Sequence, residues 1–181
     1  MAGRTRAEAV HNYRDPLQQA LSCVTHAGLY IRGRDDASNA PYALMLRQDP
    51  AILGRDGRLS LTMIQHYRVI EAEVPRGPWK VQIVAYYYTV SEPGDPSREL
   101  FGYHWHPQGR SRVTSPHFHL YEGAHIGRED MRKAHFPTGR IALEDVLRLV
   151  IQEFGVMPLR DDWAEILDRT QAAFEDWRTW L

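Results

Sequence analysis

Six of the nine histidines fall between positions 104 and 135: His104, His106, His117, His119, His125 and His135. An imidazole offers a lone pair to a metal ion or carries a proton near neutral pH. The spacing of these residues says more than their density. Side chains two apart on a β-strand share a face. On strands, His104 and His106 would therefore share one face, with Phe101, Tyr103 and Trp105 on the other. Likewise His117, His119 and Tyr121 would share a face opposite Phe118 and Leu120. An antiparallel hairpin that sets His106 opposite His117 also sets His104 opposite His119, with Cβ atoms about 4.5–5.5 Å apart. Four imidazoles then form one compact patch with Tyr121 beside it.

Two chemistries suit such a patch. In the first, neutral ring nitrogens of His104, His106, His117 and His119 hold a divalent transition metal, zinc or a similar ion. Glu122 could add a carboxylate. In the second there is no metal: one histidine removes a proton, another donates one, and cations steady developing phosphate charge. Arg110, Arg112, Arg128, Arg132, Lys133 and Arg140 make the segment locally basic, which suits a phosphodiester substrate. Arg112, Arg140 and Tyr121 are the residues expected to hold it. The residue types do not choose between the two chemistries. The plainer alternative is that histidines on an open sheet face are ordinary polar residues, with Trp105 and Phe118 in the core. There is no glycine-rich phosphate loop, no paired-cysteine site and no nucleophile elbow. A histidine-triad hydrolase would want a third alternating histidine where Tyr121 stands.

Positioning these side chains requires strands, and the middle of the chain supplies them. Leu59 to Glu73 and Trp79 to Glu92 are long runs rich in β-branched and aromatic residues, separated by Pro75, Gly77 and Pro78 as in a hairpin. Leu100 to His106 and His117 to Tyr121 read as two further strands, and 29–58 as strand fragments and turns. The ends read as helical. Residues 7–27 carry an apolar stripe with a break at Asp15-Pro16, where Asp15 and Gln18 suggest a fresh start. Gly28 is the expected stop. Leu143, Val146, Leu147, Val150 and Phe154 recur at helical spacing, with Glu144 and Asp145 in the first turn. A last helix over about 160–180 places Trp163, Ile166, Leu167, Thr170, Phe174 and Trp177 on one side. The expected fold is one α+β domain over 1–181. Its antiparallel sheet of about five strands spans about 29–121, covered on one face by the N-terminal helical region and by helices over about 141–155 and 160–180.

Composition narrows the setting. A formal net charge of −1 gives no global field toward nucleic acid or an acidic membrane, so such binding would need a local patch. The single cysteine, Cys23, cannot form an internal disulfide and reads as a small core residue. No signal-peptide pattern opens the chain, and no apolar run approaches the roughly 20 residues that span a bilayer. A cytoplasmic protein without a membrane partner is the expectation.

The run Tyr103-His104-Trp105-His106, then Ser115-Pro116-His117-Phe118-His119, then a helix opening Leu143-Glu144-Asp145-Val146-Leu147, resembles the TumE family, over roughly residues 100–150. Members are small proteins encoded as toxin partners in bacterial toxin–antitoxin pairs. The resemblance implies a toxin acting on RNA and neutralised by an antitoxin protein, with His117 and His119 carrying over. The reading is therefore a small histidine-dependent ribonuclease or phosphodiester-cleaving enzyme. The alternative is a non-catalytic metal-binding or interaction module, whose terminal helix with Trp163, Trp177 and Trp180 docks a partner or a second copy as a homodimer.

Overall fold

The computed structural model describes residues 2–33, 40–72, 77–95, 98–108, 112–125, 127, 131 and 133–176. The expectations placed on Arg110, Arg128, Arg132, Trp177 and Trp180 fall outside these residues. The chain is α+β. Among the described residues nine strands, all paired antiparallel, form one sheet: β1 (Ala2–Gly3), β2 (Leu29–Arg32), β3 (Tyr42–Leu46), β4 (Ala51–Leu53), β5 (Leu59–Glu71), β6 (Trp79–Ser91), β7 (Glu99–Trp105), β8 (His117–Leu120) and β9 (Phe136–Pro137). The order is β2-β3-β5-β6-β7-β8-β9, with β1 on β6 and β4 on β5. The sheet thus exceeds the expected five strands. β1 and β9 have two residues each, too short for an alternation to register, and the fragments in 29–58 resolve into three strands.

Among the described residues, three α-helices cover one face: α1 (Arg6–Leu21), α2 (Leu143–Gln152) and α3 (Trp163–Glu175). The N-terminal region is one unbroken helix rather than two, and it is shorter than 7–27. Its true cap is Thr5, whose side chain accepts from the Glu8 N–H at 3.1 Å, while Glu8 accepts from the Arg4 N–H at 2.8 Å. Pro16 lies inside it. Asp15 pairs with His11 at 2.8 Å instead of capping. Gln18 bonds past the helix end, to the Ala27 carbonyl and the Leu29 N–H at 3.1 and 2.7 Å, and so holds the turn into β2. The helix stops at Leu21 because Cys23 and Val24 turn into the core, both fully buried. α2 opens with Asp145 accepting from the Ala142 N–H at 2.9 Å. Its stripe buries Leu143, Val146, Leu147 and Val150, but Phe154 lies beyond its end and is 42% exposed.

The long central hairpin of β5 and β6 sets the two faces. Tyr86 and Tyr88 stack at 4.9 Å on the helix side. There the Tyr13 hydroxyl donates to the Gln65 Oε1 and the Gln65 amide donates to Tyr88. Phe101 and Trp105 extend this buried face into β7. Tyr87, one residue out of phase, is left on the uncovered face. Among the described residues no helix is long and apolar enough to cross a membrane.

Candidate metal centre

β7 and β8 form the floor of the site. Because Phe101, Trp105 and Tyr103 turn to the helix side, His104 must rise on the open face. His106 follows one residue past the strand. In β8, Phe118 packs against Tyr103 and Phe101, with ring centroids 4.9 and 5.9 Å apart. That leaves His117 and His119 on the open side. The pairing is His104 opposite His117 and Gly102 opposite His119. The expected pairing, His106 opposite His117 and His104 opposite His119, is corrected by two residues. An even shift leaves every side chain on its face, so the patch survives it. This register sets Leu120 against Phe101 and Phe118 against Tyr103. It also lets Tyr121 pass over Gly102, where an added Cβ would lie 3.2 Å from the Tyr121 ring and 3.0 Å from His104 Nε2.

The patch holds five imidazoles, one more than the four singled out. β9 pairs with β8, Phe136 opposite Phe118 and Pro137 opposite His117, and the residue before it, His135, swings over the site. Its ring centroid is 4.5 Å from His119 and 5.1 Å from His117. Around the hub of His117 stand His106 at 5.2 Å, His119 at 4.8 Å and His104 at 5.9 Å. Among the described residues, two triads have one nitrogen per ring within 4.8 Å of the others: His104/His106/His117 and His117/His119/His135. A tetrahedral ion with bonds of about 2.0–2.1 Å needs ligand nitrogens about 3.4 Å apart, so modest side-chain rotations close either triad.

His117 is fully buried. Its Nδ1 lies 2.7 Å from the Ser115 carbonyl, which can only accept, so Nδ1 carries the proton and Nε2 carries the lone pair. That Nε2 is buried without a hydrogen-bond partner among the described residues. His104 Nε2 is paired with the hydroxyls of Tyr121 at 3.3 Å and Thr89 at 3.4 Å; with Nε2 as the donor to one of them, the lone pair is on Nδ1 and free to ligate. His106 stacks on Tyr87, 5.4 Å between centroids and 6° between planes. Partners of this kind fix ring orientation and tautomer at metal-binding histidines.

Burial favours the neutral form of three of the rings. Burial, then the facing His119, His117, His106 and His135, push His104 down to about 3. Burial and the neighbouring His117, His135 and His106 push His119 down to about 4. Burial lowers His117 as well. Burial and the Glu99 carboxylate raise the Tyr121 phenol.

No family model, curated protein or solved structure matches the chain.

The other expected residues divide. Tyr121 is part of the site, its ring stacked on His119 at 5.6 Å. Arg140 is not: its guanidinium lies 3.6 Å over the Trp105 ring, on the opposite side of β7 from the histidines. Arg112 is exposed on the β7–β8 connection. Glu122 is exposed in a 3-10 turn and belongs to neither triad. His125 sits apart, in the left-handed region at φ 51°, with Nε2 3.3 Å from Arg98. Residue reasoning missed His135, Tyr87 and Thr89. His135 lay within the dense segment, and only the two-residue β9 reveals its face.

Proposed function

We propose that the histidine cluster is a divalent transition-metal centre and that the protein acts through the ion as a hydrolase. One observation carries this reading: the buried lone pair of His117 Nε2, without a partner among the described residues, stands among four other imidazoles. A buried nitrogen without a partner costs roughly 1–3 kcal/mol, and a bound ion would remove that cost. Three histidine ligands leave a coordination position for water, the arrangement in which a metal supplies hydroxide near neutral pH. A metal-free acid–base mechanism is less well supported. It needs one imidazole protonated at working pH, and two of the five, His104 and His119, are held neutral well below pH 6. It also draws no phosphate clamp from Arg140.

Metal-free protein titrated with cobalt(II) or zinc is expected to bind one equivalent. Hydrolysis of an activated phosphodiester should appear with the metal, vanish with chelator and return on reloading. Protein that binds none of zinc, cobalt, nickel, iron(II) or manganese would remove the reading.

The toxin reading adds RNA as substrate and an antitoxin as partner, and it rests on the resemblance of residues 100–150. A metal-bound hydroxide is competent for RNA phosphodiesters, so both readings use the same centre. Tightly induced expression should arrest bacterial growth and degrade RNA in the wild type, but not in His117→Ala/His119→Ala at matched soluble levels. Equal growth of both strains would leave the hydrolase reading and discard the toxin.

A further inference from the structure

The two triads share His117, and His117 has only one nitrogen to give. Nδ1 is committed to the Ser115 carbonyl at 2.7 Å. A single Nε2 lone pair binds one ion, so the triads cannot both be filled. Nor are they alike. In His104/His106/His117 two rings are half-buried and one is fully buried; in His117/His119/His135 the last ring is exposed. The inner rings are pre-set by partners: His104 by Thr89 and Tyr121, His106 by the face of Tyr87, His117 by Ser115. His135 stands just ahead of the two-residue β9 at the end of the sheet order. A pre-oriented ligand set loses less side-chain freedom on binding.

Resting on the metal reading above, we infer that the five histidines form two mutually exclusive stations for one ion. The exposed station, His119/His135 with His117, captures it. The inner station, His104/His106 with His117, retains it. The buried Nε2 of His117 is the pivot, ligating the ion at either station.

The arrangement predicts redundancy. Wild-type, metal-free protein binds one zinc equivalent tightly. His104→Asn keeps a polar side chain but removes the inner station, and His135→Ala removes the outer. Each single variant still binds one equivalent, within about 10-fold of wild-type affinity, because the other station remains. The double variant leaves His106, His117 and His119, which form no triad, and affinity falls more than about 100-fold, beyond what losing an outer-shell partner costs and beyond the product of the single effects. In stopped-flow mixing, His135→Ala takes up zinc several-fold more slowly and His104→Asn releases it faster. Circular dichroism of each metal-free variant checks folding. Two tight equivalents in the wild type, a single variant as weak as the double, or unchanged uptake in His135→Ala would each overturn the two-station inference while leaving the metal centre standing. A wild type that binds no metal instead removes the centre itself.

Discussion

Metal-free His117→Leu is expected to be at least as stable as the wild type, and to gain nothing from zinc. The reasoning starts from burial. His117 has no exposed surface, and its Nε2 is unpartnered among the described residues. Leucine is close in volume and removes a buried polar atom whose desolvation costs roughly 1–3 kcal/mol. The bond it forfeits ends on the carbonyl of Ser115, an exposed residue that water can satisfy. A residue kept for packing would behave in the opposite way. Zinc should stabilise the wild type by about 2.7 kcal/mol when present at 100 times its dissociation constant. It should leave the variant unmoved, because both triads pass through His117. Urea unfolding of both proteins, with and without zinc, reads both halves. A metal-free variant weaker by several kcal/mol would make His117 a structural residue. A variant that still responds to zinc would show that the metal binds elsewhere.

This contrast also explains which parts of the molecule the sequence made legible. Alternation in 101–106 and 117–121 gave the correct face to every histidine named there, because Phe101, Trp105 and Phe118 had only one apolar side to go to. Pairing register was not legible. It depends on which aromatic rings meet across β7 and β8, and on the absence of a side chain at Gly102 that lets Tyr121 cross. Neither leaves a periodic trace. His135 was hidden for a related reason: its face is set by β9, two residues long. Arg140 was misplaced because local basicity in sequence says nothing about sides of a sheet. Its guanidinium found the Trp105 ring instead, where a weakly hydrated cation packs well. At the N-terminus, Asp15-Pro16 looked like a helix start, but Thr5 and Glu8 form the cap. The helix runs through Pro16 because Tyr13, Leu17, Ala20 and Leu21 on its one face are all buried in the core, and that burial outweighs the lost backbone bond.

The other large effect expected lies on the opposite face of the sheet. Glu144, in the first turn of α2, is almost wholly buried, and neither carboxyl oxygen has a hydrogen-bond partner of normal geometry among the described residues. It faces the hydroxyl-bearing rings of Tyr13 on α1 and Tyr88 on β6, with Thr170 of α3 and Asp145 and Arg148 of its own helix nearby. Burial raises its carboxyl from 4.5 to about 7. The folded state therefore holds this proton more tightly than the unfolded chain. Stability from the neutral form is full below pH 4.5, declines as pH rises, and is lost once pH passes about 7. At about 1.36 kcal/mol per unit over that window, the loss is roughly 3 kcal/mol. Glu144→Gln cannot ionise. Relative to wild type it should be near neutral at pH 4.5 and more stable by roughly 3 kcal/mol at pH 8. His104, His117 and His119 also respond to pH, but they occupy the other face and are common to both proteins, so their contributions cancel in the difference. Denaturant unfolding of the pair at several pH values tests this directly. A difference that stays flat from pH 4.5 to 8 would mean that the Glu144 carboxyl is not shifted on folding and that the turn admits water or a cation to it.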